Sequence, residues 1–132
     1  MSPYIFAERK GIHLIDLNRT SECLERAGQA ARQMAKAGKK ILFVATKKQA
    51  REIVATAAKS VNMPYVTDRW LGGMMTNFAT IRRSVRKMQN IERMLNDGSL
   101  SSITKKERLT LTREHAKLDK VLGGIANLNR TP

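Results

Sequence analysis

The hydrophobic pattern of the first half alternates between short apolar runs and longer stretches of helical period. The apolar runs are GIHLID (11–16), KKILFVAT (39–46) and NMPYVT (62–67). The run in 39–46 is continuously apolar at its centre, which is typical of a parallel strand covered on both faces. Helical stretches separate the runs, so we predict a β-α-β-α-β order in an open parallel sheet with right-handed crossovers.

A glycine and a capping box in the sequence indicate where the two connecting helices end and begin. The first is predicted over 18–36 and closes on Gly38, the residue type expected just past a helix C-terminus. The second is predicted to begin at Thr46, because Thr46 and Gln49 have the spacing of a capping box. Its apolar stripe is formed by Ala50, Ile53, Val54, Ala57 and Val61.

The second half has a period close to a heptad. Its apolar residues are Phe78, Ile81, Val85, Met88, Ile91 and Leu95, followed after a break by Leu111, Leu118, Leu122 and Ile125. The segment NDGS (96–99) breaks the first helix, and Thr104 with Glu107 forms a second capping box. Two helices of about 20 residues around a tight loop predict an antiparallel coiled-coil helical hairpin about 30 Å long.

A Leu-Gly-Gly tripeptide stands at each end of the predicted hairpin. A side chain in such a place would block close backbone approach. We therefore interpret four glycines as a structural joint: Gly72, Gly73, Gly123 and Gly124. The alternative for the second pair is a simple helix stop. Trp70, beside the first pair, also belongs to this joint; its ring either fills the core or stacks on a nucleic-acid base.

Net charge indicates the class of partner. The chain has 25 Lys and Arg against 11 Asp and Glu, a net charge of +14. Positive charges in such excess repel one another in a compact chain. A polyanion, usually nucleic acid, is therefore the natural partner of the chain. No apolar run approaches the roughly 18 residues of a membrane-spanning helix, so no membrane partner is predicted. The single cysteine, Cys23, is predicted to be a small buried residue.

No constellation for catalysis is visible in the sequence. The chain has no G-x-x-x-x-G-K-[ST] or G-x-G-x-x-G motif, no Ser/His/Asp set and no metal-ligand spacing. Asp16 and Asn77 fit helix boundaries, and Asp68 has no partner of catalytic type. We predict no enzyme activity, no cofactor and no metal.

Basic residues are the remaining candidates for function. Lys47 and Lys48 fall in the first predicted turn of a helix, where the macrodipole disfavours cations unless an anion is bound. With Arg51 they are predicted to meet a backbone phosphate, the alternative being a solvated surface pair. Arg69 is a further candidate. The first hairpin helix carries the densest set, opposed only by Glu92: Arg82, Arg83, Arg86, Lys87 and Arg93.

That basic set is arranged as a stripe. At 100° per residue, Arg82, Arg86 and Arg93 lie within roughly 40° of one another, and Arg83 and Lys87 lie on the adjacent outer face. A solvated helix normally intersperses acids for i,i+4 pairing, and here they are nearly absent. The stripe therefore predicts contact with RNA.

Four segments in this order and spacing resemble the family of the bacterial-type second protein of the small ribosomal subunit. They are PYIFAERKGIHLIDLNRT, ILFVATKKQA, MPYVTDRWLGGMMTNFATIR and KLDKVLGGI. The resemblance implies a flavodoxin-like sheet with an inserted helical hairpin and a non-enzymatic, cytoplasmic ribosomal role. It also implies contact with small-subunit ribosomal RNA and with neighbouring proteins, including the large messenger-recruiting first protein. RNA-facing positions of the family fall on Lys47, Lys48, Arg69, Arg82, Arg83, Arg86 and Lys87.

The family pattern extends beyond this chain at both ends. Family members carry an HFGH-like motif before PYIF and continue past Thr131–Pro132 into further strands. We therefore expect a fragment with a partial sheet: an α/β half-domain (1–75), the basic hairpin (76–125) and a return segment (126–132). Two alternatives remain, namely part of an RNA helicase motor domain, which ILFVATKKQA resembles, and a basic coiled-coil adaptor that binds protein.

Overall fold

Two compact units make up the fold. The structure is a computed structural model that describes residues 1–97 and 104–132. Met1–Lys40 forms one unit and Ile41–Pro132 the other. The described residues contain four α-helices, one antiparallel pair of strands and one parallel pair. The fold is therefore α/β with a small parallel sheet, as the alternation of periods predicted.

A β-hairpin opens the first unit. Strand β1 (Ile5–Arg9) pairs antiparallel with strand β2 (Ile12–Ile15). The two residues between them have positive φ, 52° at Lys10 and 76° at Gly11. Positive φ at both central residues is the backbone of a tight hairpin turn whose twist matches that of the strands.

The hairpin corrects part of the predicted topology. The predicted strand at 11–16 exists as β2, but it pairs with β1 rather than with the later strands. The prediction of a single β-α-β-α-β parallel sheet is therefore wrong for its first strand. The physical reason is local, because a two-residue turn containing Gly11 brings β1 and β2 together without a crossover.

Helix α1 (Leu17–Lys36) follows the hairpin at the predicted place. Asp16 caps it, since its carboxylate accepts from the backbone N–H of Asn18 at 3.0 Å. Gly38, with φ of 68°, follows its C-terminus. No residue of α1 is buried. Cys23 is exposed, so the prediction of a buried cysteine is wrong: α1 has no packed face for it to join.

The parallel pair opens the second unit. Strand β3 (Phe43–Val44) pairs in parallel with β4 (Tyr65–Val66). The helix between them, α2 (Arg51–Ser60), is the crossover that parallel pairing requires. The strands are shorter than the predicted runs. Phe43 and Val44 are exposed, so the prediction of a doubly covered strand is wrong: within the described residues β3 pairs with β4 alone, and contact with α2 leaves both of its residues in solvent.

Two further helices complete the second unit. Helix α3 (Phe78–Asn96) and helix α4 (Lys105–Leu122) pack against each other. The capping box predicted for α4 is confirmed, since Thr104 and Glu107 exchange both side chain–backbone hydrogen bonds. Helix α3 ends at the predicted break. The rest of that break, residues 98 and 99, lies outside the described residues.

The hydrophobic core lies between α3, the end of α4 and β4. The predicted seam of α3 is buried at Ile81, Val85, Met88 and Ile91. A short 3-10 turn after α4 (Gly123–Ile125) adds Ile125 to this core, and the segment beyond it adds Leu128. The core thus holds α3 in one orientation, with the opposite helix face in solvent.

Candidate nucleic-acid interface

The ends of the two parallel strands bring two basic loops together. The N–H of Ala45 donates to the carbonyl of Val66 at 2.9 Å, so β3 and β4 end side by side. The loop after β3 carries Lys47 and Lys48, and the loop after β4 carries Arg69. The carboxyl edge of parallel strands is where α/β folds commonly bind ligands.

Lys47 and Lys48 lie in a turn rather than in a helix. The N–H of Ala50 donates to the carbonyl of Lys47 at 2.9 Å, and α2 starts only at Arg51. The capping box predicted at Thr46 is wrong, because Ala50 is the N-cap and α2 has no side-chain cap. Both lysines are exposed, and they precede the helix instead of occupying its first turn.

Arg51 donates hydrogen bonds to three acceptor atoms, which belong to Thr46 and Asp68. Its Nη1 donates to Asp68 Oδ1 at 2.8 Å, and its Nη2 donates to the Asp68 carbonyl at 3.4 Å. Its Nε donates to the carbonyl of Thr46 at 3.1 Å. The guanidinium therefore joins the loop after β3 to the loop after β4, a use that the sequence pattern did not reveal.

The basic residues of α3 separate into two flanks and an outer face. On one flank, Arg82 donates from Nη1 to the Ala126 carbonyl at 3.2 Å and from Nη2 to Asn129 Oδ1 at 3.1 Å. Gln89 reaches the same carbonyl of Ala126 at 3.4 Å. Arg82 therefore ties the segment after α4 to α3.

On the other flank, Lys87 forms an ion pair with Glu114 of α4. This pair bridges α3 and α4. Arg93 makes only a local contact, with its Nη2 3.3 Å from Asn90 Oδ1 one turn earlier. Sequence spacing predicted a stripe of Arg82, Arg86 and Arg93 beside an outer face of Arg83 and Lys87, whereas Arg82, Lys87 and Arg93 each have a different partner in the structure.

Arg83 and Arg86 form the outer face. They are exposed and make no hydrogen bond or ion pair within residues 1–97 and 104–132. Measured around the helix, they lie roughly 60° apart, opposite the buried seam of Ile81 and Val85. Two unpaired guanidinium groups on a rigid, core-packed helix are available to phosphates.

Trp70 lies outside the core. Its side chain is 40% exposed, while Met74 four residues later is 1% exposed. The hypothesis that Trp70 fills the core is therefore wrong, because Met74 occupies that space in the cluster with Val66 and Leu122. The exposed 40% of Trp70 is available for stacking, next to Arg69 in the sequence. Sequence reasoning missed Met74, whose unbranched side chain suits an irregular gap.

The four glycines of the predicted joint have different environments. A Cβ on Gly124 would overlap the carbonyl oxygen of Tyr65 and come within 2.8 Å of its ring. Gly73 has φ of 76°, and its Cβ would lie 3.2 Å from that of Asn77. Gly123 adjoins a carboxylate of its own helix, and Gly72 has open space around it. Close packing is thus concentrated at Gly124, where the end of α4 meets β4.

Two other kinds of feature, a metal site and a membrane-spanning helix, are absent from the described residues. Within residues 1–97 and 104–132, no group of three or more His, Cys, Asp or Glu side chains could hold a metal ion. Across the same ranges, no helix is both long and apolar enough to cross a bilayer.

Known proteins similar to this chain belong to the family that its four segments resemble. The family model for "Ribosomal protein S2" matches residues 1–132. Three similar proteins, each named small ribosomal subunit protein uS2, come from Cytophaga hutchinsonii (59% identical), Bacteroides thetaiotaomicron (58%) and Flavobacterium johnsoniae (54%). Each match covers all of this chain but only 52%, 48% and 52% of the relative, so the chain spans about half their length. The chain belongs to the ribosomal protein S2 family.

Proposed function

We propose that the chain acts as a structural, non-catalytic constituent of the small ribosomal subunit in the cytoplasm and binds small-subunit ribosomal RNA. The observation that carries the proposal is the pair Arg83 and Arg86. These residues project from a helix whose opposite face is buried, in a chain of net charge +14. The names of the relatives, which place them in the small subunit, support the same assignment.

The proposed interface has two parts. One is the outer face of α3, where Arg83 and Arg86 are joined by Arg93. The other is the pair of loops with Lys47, Lys48 and Arg69, with Trp70 available to stack on a base. Arg51, Arg82 and Lys87 take part through the contacts that position these elements. We further propose neighbouring small-subunit proteins as partners, including the large messenger-recruiting first protein of the family pattern.

The finer architecture is proposed on the same basis. The parallel pair β3–β4 would be one part of a flavodoxin-like sheet, and α3 with α4 an inserted coiled-coil hairpin. The corresponding division is 1–75, 76–125 and 126–132. Antiparallel packing of α3 and α4 supports the hairpin, and the family membership supports the sheet. Neither alternative function, helicase fragment or protein-binding adaptor, finds support in the relatives.

The mechanism is electrostatic and architectural. Lysine and arginine side chains neutralise phosphates and release the counterions condensed on RNA. The core holds α3 rigid, so the guanidinium groups keep a fixed spacing that matches one arrangement of phosphates. Backbone contacts of this kind orient a protein on RNA without reading the base sequence.

A salt titration tests the proposal. We expect log Kd for small-subunit ribosomal RNA to rise linearly with log salt, with a slope of about 5, because each neutralised phosphate contributes roughly 0.7–0.9. The cations expected to contribute are Lys47, Lys48, Arg69, Arg83, Arg86 and Arg93. Fluorescence anisotropy of labelled RNA gives the slope. Binding that is undetectable at low salt, or a slope near zero, would contradict the proposal.

A further inference from the structure

One acidic side chain lies within the basic loop surface. Asp68 Oδ1 is 2.8 Å from Arg51 Nη1 and 3.9 Å from Lys120 Nζ. The Asp68 side chain is only 21% exposed, whereas that of Lys120 is 70% exposed. Arg51 extends from α2 and Lys120 from α4, so a single carboxylate connects two helices with the loop after β4.

The connection continues into the loop after β3. Arg51 donates to the carbonyl of Thr46 as well as to the carboxylate and the carbonyl of Asp68. Thr46 directly precedes Lys47, and Asp68 directly precedes Arg69. The guanidinium thus bonds to the backbone on which both groups of basic side chains stand, and Asp68 supplies its charged partner.

We propose that Asp68 is a positioning residue that, through Arg51 and Lys120, fixes the Lys47–Lys48 turn and Arg69 as one anion-binding surface. This inference rests on the proposed RNA binding, and it assigns the ordering of the two basic loops to the contacts of Asp68 with Arg51 and Lys120. Without the carboxylate, Arg51 would keep only its two carbonyl acceptors, and no negative charge would offset the repulsion between the basic side chains of the two loops. With the carboxylate, the loops are ordered before RNA arrives, which lowers the entropy lost on binding.

The proposal and the net charge predict opposite changes in RNA affinity when Asp68 is replaced. Asp68→Asn removes one negative charge from a basic surface, so charge alone would tighten RNA binding and steepen its salt dependence. If Asp68 positions the loops, the same substitution weakens binding, and we expect Kd for small-subunit ribosomal RNA to rise about 3- to 10-fold. We also expect a shallower salt slope, because fewer cations reach phosphates simultaneously.

Asp119→Asn is the matched control. Asp119 is exposed on α4 beside Lys120 and forms no ion pair with the described residues. The same change of charge there is expected to leave RNA binding unchanged or slightly tighter. Asp68→Asn binding RNA as tightly as wild type, with an unchanged slope, would overturn the proposal.

A second readout requires no RNA. Amide hydrogen exchange of residues 45–50 is expected to accelerate in Asp68→Asn and stay at the wild-type rate in Asp119→Asn. Arg51→Lys keeps the charge but loses the three-point contact, so it serves if Asp68→Asn does not fold, and it should show the same faster exchange. Unchanged exchange in both variants would overturn the positioning role even if wild type binds RNA. Failure of wild type to bind RNA while exchange responds would instead remove the proposed function.

Discussion

Gly124→Ala is expected to lower the free energy of unfolding of the second unit by about 3 kcal/mol, toward the upper end of overpacking costs. The added Cβ would overlap the carbonyl oxygen of Tyr65 and come within 2.8 and 2.9 Å of its ring carbons Cδ2 and Cε2. A side chain can rotate away from such contact, but the carbonyl belongs to strand β4 and moves only with it. The end of α4 would therefore shift away from the sheet.

Gly72→Ala is the control for this prediction. Gly72 belongs to the other Leu-Gly-Gly tripeptide, and a Cβ there meets no atom within 4 Å. We expect its free energy of unfolding to stay within about 0.5 kcal/mol of wild type. Urea denaturation followed by circular dichroism at 222 nm compares the three proteins. Equal midpoints for the two variants would show that α4 does not approach Tyr65 in the way described.

Arg83→Ala combined with Arg86→Ala is expected to give the largest loss of RNA binding. Losing two phosphate contacts lowers the slope of log Kd against log salt by roughly 1.4–1.8. Between 50 and 200 mM salt, the affinity of wild type should therefore fall about tenfold further than that of the variant. The fold should be unaffected, since both side chains are exposed and make no hydrogen bond or ion pair with the described residues.

Two further variants show whether the loss of binding comes from the outer face of α3 or from net charge. Arg108→Ala with Arg113→Ala removes the same charge from exposed positions on α4, and we expect it to change the slope far less. Arg82→Ala should instead reduce stability, because Arg82 binds Ala126 and Asn129. If the α4 pair reduces the slope as much as the α3 pair, RNA responds to net charge alone, and the outer face of α3 is not the interface.

The parts of the fold that local rules determine could be predicted from the sequence. Helix α1 begins after Asp16 and α4 after Thr104, because capping depends on residues two or three apart. The buried seam of α3 follows from its period. The turn at Lys10–Gly11 is also local, and the sequence could have predicted it. Two residues, the second of them a glycine, separate two strand-like segments there, and such a spacing favours a β-hairpin.

Other features depend on neighbours that are distant in sequence. Arg51 and Asp68 are 17 residues apart, and Arg82 and Asn129 are 47 apart. No periodicity distinguishes an arginine that binds the protein's own carbonyl groups from one that faces solvent. The basic positions predicted on α3 therefore included both kinds, and the observed contacts separate Arg82 and Lys87 from Arg83 and Arg86. For the same reason, the sequence did not predict that Met74 rather than Trp70 joins the core.

The most direct test of the central claim is co-sedimentation of the 132-residue chain with small ribosomal subunits depleted of their own copy, washed at rising salt. We expect retention near one copy per subunit that survives moderate salt, because a fixed arrangement of cations on RNA resists displacement better than scattered charge. Loss at low salt, together with equal binding to unrelated RNA, would contradict the claim that the chain has a defined site on the small subunit.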